Sequence, residues 1–130
     1  IPQFILRIRE LTVNSPCSEM TLPIQGSGDE TRAFVYINDF IEGFMIVLNR
    51  GEHLNIYNIG TQEETPIKNL ASEIGKYFSK KIKIIPGPLL PGCPLRRCPD
   101  ITKLKKLGYH PRHRLKDGLQ PVIRWYDRSP

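Results

Sequence analysis

The chain has 130 residues, a formal net charge of +6 and a hydrophobic content of 39%. This length fits one domain, and the composition excludes an intrinsically disordered chain and any apolar run long enough to span a membrane. The positive charge is compatible with nucleic acid, an anionic membrane or a phosphorylated ligand, but basic residues are dense only at 103–116, which favours a local anion site.

The cysteine content and the first residues bear on the compartment and the extent of the chain. Three cysteines are an odd number and no signal peptide is recognisable, so we expect reduced thiols in a cytoplasmic protein. The sequence begins with Ile1 rather than Met, and "PQFILRIREL" has the pattern of a helix that is already under way. We therefore expect residues 1–130 to be the downstream part of a longer protein.

The first half of the chain predicts two helices and two short strands. Apolar residues at helical spacing predict a helix over 3–11, and a polar break follows at 12–20. Residues 21–24 predict a short extended segment, and the β-branched and aromatic run 33–37 predicts a strand. Asp39 is placed to cap the next helix, which ends at Asn49-Arg50-Gly51. The apolar face of this helix is predicted to consist of Ile41, Phe44, Met45 and Leu48.

The second half predicts a strand–helix–strand unit and therefore an α/β fold class. Alternation over 54–60 predicts a strand, Thr65-Pro66 marks a helix start, and 81–86 predicts another strand. This order favours a parallel βαβ unit, so we expect a small mixed α/β domain.

The last third of the chain predicts a loop and two helices. The proline-rich stretch 87–99 predicts an irregular, exposed loop. Asp100 is placed to cap a short helix over 101–107, and a final helix carries apolar residues on one face. Pro121 lies inside that final helix at a cost of about 3 kcal/mol, so we expect a kink or a late start there.

Two cysteines and two histidines have a spacing that superficially resembles a Cys2His2 zinc finger. Cys93 and Cys98 are followed by His110 and His113. The histidine pair is too tight for that class, Pro111 lies within it, and no ββα pattern surrounds it. Loop cysteines and surface histidines are the simpler interpretation, and we predict no metal ligand. A small basic nucleic-acid-binding module, stabilised by zinc, remains the alternative function, and steep salt dependence of binding would be its signature.

Two further motifs are weak. Tyr77 and Lys81 have the Tyr-x-x-x-Lys spacing of a dehydrogenase catalytic pair, but they fall at a helix end, so we interpret the match as coincidence. Gly26 and Gly28 lack the spacing and the strand-to-helix position of a dinucleotide fingerprint. A tight turn between two short strands is the alternative interpretation of these glycines.

Arginines are the better indication of a ligand. Arg32 follows the glycine turn, and Arg96 and Arg97 lie in the loop before a capped helix. If these two places converge in space, their guanidinium groups would bind a diphosphate through bidentate, charge-assisted hydrogen bonds. The alternative is a solvated arginine pair on a loop.

The order of motifs resembles a known family. "LPIQGSGDETRAFVYINDF", "YNIG", "RRCPDITKLKKLGYHP" and a terminal "WY" are similar to the C-terminal half of NAD-dependent sugar-nucleotide epimerases, dehydratases and decarboxylases, the extended short-chain dehydrogenases. The resemblance covers nearly the whole chain. It implies that residues 1–130 are one domain that binds a nucleoside-diphosphate sugar, and that NAD and the catalytic Tyr and Lys belong to a missing N-terminal Rossmann half.

The resemblance also implies ligand-binding positions. It places Arg32 on the diphosphate, gives this chain no catalytic residue, and implies a possible homodimer of the full enzyme without nucleic acid or membrane partners. Many relatives have tyrosine where Gln25 stands, so the nucleobase is left open, as are the sugar and the reaction. The expected substrate-binding residues are Pro23, Ile24, Gln25, Arg32, Asn58, Arg96 and Arg97.

Overall fold

A computed structural model describes residues 1–14 and 17–128, which form five helices and five short strands around two apolar clusters. The predicted break at 12–20 includes residues 15 and 16, which lie outside the described residues. The elements are α1 (Pro2–Asn14), β1 (Glu19–Pro23), β2 (Thr31–Ala33), α2 (Ile37–Arg50), β3 (Glu64–Pro66), α3 (Ile67–Tyr77), β4 (Lys81–Ile85), β5 (Arg96–Arg97), α4 (Thr102–Lys106) and α5 (Leu115–Arg128).

The main core lies where α1, α3 and α5 pack over β1 and β4. Each helix contributes buried residues one turn apart, as the 3.6-residue period requires, and alternate residues of β1 point inward. α5 runs through Pro121 and begins at Leu115, so it does not start late. The buried members of this core are Ile5, Ile8, Leu22, Ile24, Leu70, Ala71, Ile74, Leu119 and Ile123.

The strands form two small sheets, which confirms the mixed α/β class. β1 and β4 pair in parallel, and β2 lies between antiparallel β3 and parallel β5. The predicted strand at 54–60 is wrong: no strand is assigned there, and the strand before α3 is β3. The predicted parallel partner of β4 is therefore also wrong, because β4 pairs with β1. The strand predicted at 33–37 is displaced toward Thr31–Ala33.

A second cluster holds the other end of the chain. Ile101, Leu104 and Tyr109 are buried against the inner side of α2 and against residues 57–59. Ile101, not Asp100, occupies the N-cap position of α4, so the capping role predicted for Asp100 is wrong. Asp100 lies one residue earlier and accepts a hydrogen bond from the Thr102 amide at 2.9 Å. Gly108 follows α4 with φ of +100°, a left-handed conformation that favours glycine.

α2 differs from its sequence-based prediction at both its start and its surface. It begins at Ile37, so Asp39 lies inside the first turn and is not the cap. Asp39 is instead buried and accepts hydrogen bonds from the His113 amide (3.0 Å) and ring Nδ1 (2.8 Å). The apolar face predicted for this helix is exposed, with Phe44 47% and Leu48 63% accessible.

None of the described helices has both the length and the apolar character needed to cross a membrane. The cytoplasmic location expected from the cysteines stays a prediction.

Candidate functional site: a cavity beside the glycine turn

The glycine turn between β1 and β2 encloses a carboxylate of the chain itself. The Glu30 side chain accepts hydrogen bonds from the amides of Ser27 and Gly28, both at 2.9 Å. Gly26 and Gly28 have φ of +82° and +89°, and a Cβ on Gly26 would collide with the Glu30 carboxylate. The Ser27 amide hydrogen bond, with smaller contributions from neighbouring groups, lowers the pKa of Glu30. The turn therefore offers its amides to Glu30, and β2 rather than a helix follows it.

A cavity of about 740 Å³ lies next to this turn. Its volume falls in the range of about 300 to 1,000 Å³ that is typical of small-molecule sites. Its polar lining residues are Gln3, Arg7, Gln25, Glu30, Arg32 and Cys93, and its apolar ones are Phe4, Leu6, Pro23, Ile24, Ile67 and Leu89. A second cavity, between residues 34–37 and α5, measures about 210 Å³ and is almost wholly apolar, which suits it less to a charged ligand.

Four of the seven substrate-binding residues expected from the sequence line the larger cavity. Pro23, Ile24 and Gln25 reach it from the end of β1, and Arg32 reaches it from β2. The turn thus brings the expected base-facing segment and the expected diphosphate-binding arginine to one surface.

Arg32 is held by neutral oxygens of its own strand β2 and of the proline-rich loop. Its guanidinium donates to the carbonyls of Thr31 at 2.7 Å and Pro94 at 2.9 Å, and it lies 3.7 Å from the Cys93 sulfur. Among the described residues, no carboxylate forms an ion pair with Arg32. Its positive charge is therefore not cancelled by a neighbouring carboxylate.

The other three expected residues are placed differently. Arg96 forms a two-pronged hydrogen bond with Glu64, which lowers the pKa of that carboxyl. Arg97 pairs with Arg32 where β5 runs beside β2, so the two backbones are adjacent. Arg97 is not one of the described residues that line the cavity. The Asn58 amide donates to the Asp100 carbonyl at 3.0 Å, a packing contact.

Neither the Tyr-x-x-x-Lys spacing nor the Cys and His spacing forms a chemical site in the part of the chain that the structure describes. Tyr77 ends α3 and Lys81 begins β4, so they do not share a helix. Within residues 1–14 and 17–128, no three His, Cys, Asp or Glu side chains are grouped to hold a metal ion. His113 is instead bonded to Asp39.

Sequence reasoning missed the contribution of α1 to the cavity. Gln3 and Arg7 are four residues apart, and this spacing places them on one face of the helix beside the apolar stripe. Reading α1 only for its core residues concealed this polar edge. Cys93, which the sequence analysis interprets as a loop cysteine, also lines the cavity.

Comparison with known families gives one match at the start of the chain. Residues 1–60 match the model described as "NAD dependent epimerase/dehydratase family".

Full-length relatives extend the similarity to the whole chain. The chain is 35% identical, over 134 aligned residues, to the trifunctional UDP-glucose 4,6-dehydratase/UDP-4-keto-6-deoxy-D-glucose 3,5-epimerase/UDP-4-keto-L-rhamnose-reductase RHM2 of Arabidopsis thaliana, with 100% of this chain and 19% of the relative covered. It is 34% identical to UDP-glucuronic acid decarboxylase 4 of the same plant over 104 residues, with 79% of this chain and 23% of the relative covered. The chain thus spans about a fifth of the length of these relatives.

Solved structures agree with the fold. dTDP-glucose 4,6-dehydratase from Streptomyces venezuelae, solved with NAD and TYD bound, superposes with a TM-score of 0.79 at 28% identity, covering 97% of this chain and 37% of that one. UDP-glucuronic acid 4-epimerase from Bacillus cereus, in complex with UDP-glucuronic acid and NAD, superposes with a TM-score of 0.77 at 29% identity. This match covers 93% of this chain and 38% of that one.

The fold is therefore part of the extended short-chain dehydrogenase fold, and its cavity lies between α1, the glycine turn and the proline-rich loop. The chain belongs to the NAD-dependent family of sugar-nucleotide epimerases, dehydratases and decarboxylases. The resemblance inferred from the motif order is confirmed.

Proposed function

We propose that residues 1–130 form the nucleotide-sugar-binding part of an NAD-dependent enzyme that epimerises, dehydrates or decarboxylates a nucleoside-diphosphate sugar. One observation carries the proposal: Pro23, Ile24, Gln25 and Arg32 border a single cavity of about 740 Å³. An uncancelled guanidinium beside an apolar wall suits a ligand that joins a diphosphate to a nucleoside. The relatives that this chain resembles act on UDP sugars by their names, which supports this ligand class.

NAD is proposed to be bound by a second half of the full enzyme. The glycine turn does not fit the pyrophosphate of a dinucleotide, because its amides are bonded to Glu30 and β2 follows it. We therefore assign no catalytic step to residues of this chain. Their proposed work is to bind the nucleotide and position the sugar, which lowers the entropic part of the barrier at the nicotinamide.

The proposal predicts that Arg32→Ala weakens UDP or dTDP binding by about 1.5–3 kcal/mol, the value of a hydrogen bond to a charged group. Isothermal titration of the 130-residue chain with UDP, dTDP and uridine measures this loss. Uridine affinity is expected to change little, because the diphosphate is the group that Arg32 contacts. Unchanged UDP and dTDP affinity would contradict the proposed site.

The same titrations test whether Arg96 and Arg97 also bind the nucleotide. Arg96→Ala is expected to leave UDP affinity close to wild type, because Glu64 already binds this guanidinium. Arg97→Ala tests the prediction made from the resemblance, since its backbone lies beside Arg32. A loss in Arg97→Ala comparable to that in Arg32→Ala would add Arg97 to the site.

A further inference from the structure

Helix α1 presents a second arginine to the cavity. Gln3, Leu6 and Arg7 all line it, and they lie within a little over one helical turn of one another. The helix backbone is fixed beneath them, because Ile5 and Ile8 are fully buried in the main core. Arg7 is therefore an exposed cation on a helix that the core holds in place.

The contacts of Arg7 leave its charge available. Its Nη1 lies 3.4 Å from the Pro23 carbonyl, a long hydrogen bond to a neutral oxygen at the end of β1. No ion pair joins Arg7 to a carboxylate among residues 1–14 and 17–128. Such a contact costs little to exchange for an anionic oxygen, because hydrogen bonds between charged partners are about twice as strong as neutral ones.

The charges around the cavity favour an anion with more than one charged group. Arg7 and Arg32 reach it from two different elements, α1 and β2, and Glu30 is the one carboxylate among the lining residues of the described chain. Glu30 already accepts amide hydrogen bonds from Ser27 and Gly28, so its oxygens do not compete strongly for the two guanidinium groups.

Arg9 and Arg96, unlike Arg7, form short hydrogen bonds away from the cavity. Arg9, two residues further along α1, donates to the Tyr126 carbonyl at 2.7 Å, and Arg96 is bonded to Glu64. Arg7 and Arg32 are thus the pair that shares a cavity.

We propose that Arg7 is the second arginine of the site and binds the diphosphate of the nucleotide ligand together with Arg32. This inference rests on the proposed function and names the residue that completes its anion site. Two guanidinium groups from separate elements would hold the two phosphates in a fixed orientation.

Titration of the 130-residue chain with UDP and with uridine tests the role of Arg7. Arg7→Gln is expected to weaken UDP binding roughly tenfold, the effect of one hydrogen bond to a charged group. Uridine affinity should stay unchanged, and Arg7→Lys should recover part of the loss. The matched control is Arg124→Gln, which removes the same charge from an exposed position of α5 and should alter UDP affinity by less than about twofold.

Each outcome decides a separate point. An equal loss for UDP and uridine would show that Arg7 supports the helix or the base-facing segment, and would overturn the inference. Wild-type UDP affinity in Arg7→Gln would also overturn it, while a loss in Arg32→Ala would leave the proposed function standing. If the wild-type chain binds neither UDP nor dTDP, both the proposed function and the role of Arg7 are overturned.

Discussion

At the scale of single residues, Glu30 explains why the glycine turn has its shape. The turn needs two positive φ values, at Gly26 and Gly28, and it points two amides at one carboxylate. Glu30 is 6% exposed, so the amides lie where water competes weakly for them. The turn is a structural anchor that sets the distance between Gln25 and Arg32.

This anchor predicts a stability that depends on pH. Because the folded state lowers the pKa of Glu30 from an ordinary value of 4.5, the ionised side chain stabilises the fold above about pH 4.5. The contribution is lost as the pH falls below 4.5 and through the lower folded pKa. Glu30→Gln should reduce the free energy of unfolding at pH 7 by about 1–2 kcal/mol, since it replaces charged hydrogen bonds with neutral ones.

Urea unfolding of wild type and Glu30→Gln between pH 3 and pH 7 measures this difference. The difference in the free energy of unfolding between the two proteins should shrink toward pH 3. The effects of the other carboxylates on this difference cancel, because both proteins contain them. Glu63→Gln, at an exposed position, is the control and should stay within about 0.5 kcal/mol of wild type. A Glu30→Gln difference that is constant with pH would contradict this account.

At the scale of elements, the segment at 54–60 has no strand partner, and a buried tyrosine holds its end by a hydrogen bond instead. The buried Tyr109 hydroxyl donates to the Gly60 carbonyl at 2.9 Å, and Ile59 packs on the same cluster. Burial, followed by the charges of Asp39 and Glu42, raises the pKa of Tyr109 to about 12. The hydroxyl therefore stays protonated and remains a donor at physiological pH.

Tyr109→Phe should lower the free energy of unfolding by about 1–3 kcal/mol, because the Gly60 carbonyl is left buried without its donor. Chemical denaturation at pH 7 measures the change. Tyr57→Phe is the matched control: its hydroxyl accepts from the Glu52 amide in an exposed contact, so a smaller loss is expected. Equal losses in the two variants would argue against a special role for the buried hydrogen bond.

The same elements show which parts of the fold follow from the sequence. α1, α3 and α5 were predictable because their apolar periodicity matches a core that the chain itself supplies. Residues 54–60 alternate like a strand, but a strand also needs a partner, and Leu54 and Ile56 remain 90% and 81% exposed. Arg32 could be placed at the candidate site from its motif. Arg7 could not, because its position depends on how α1 packs against α3 and α5.

At the scale of the whole molecule, α2 carries an apolar surface that the described residues do not cover. Ile37, Phe40, Ile41, Phe44, Met45 and Leu48 repeat at helical spacing and are between 41% and 63% exposed. A contiguous apolar stripe of this kind marks an interaction surface. The chain spans only 38% of the Bacillus cereus epimerase, and we expect the NAD-binding half that we propose for the full enzyme to cover this face.

This expectation predicts that substitutions on α2 act differently in the short chain and in the full enzyme. In the 130-residue chain, Phe44→Ser and Leu48→Ser should each lower the free energy of unfolding by no more than about 1 kcal/mol, because roughly half or more of each side chain is already exposed. When the NAD-binding half is present, each should destabilise by about 1.5–3 kcal/mol, the value of a buried side chain of this size. Ile5→Ala is the control, since it opens a cavity in the main core and should cost about 2–5 kcal/mol in both forms.

Denaturation of each variant in both forms measures the contrast. Equal effects of Phe44→Ser in the two forms would mean that the NAD-binding half leaves α2 uncovered.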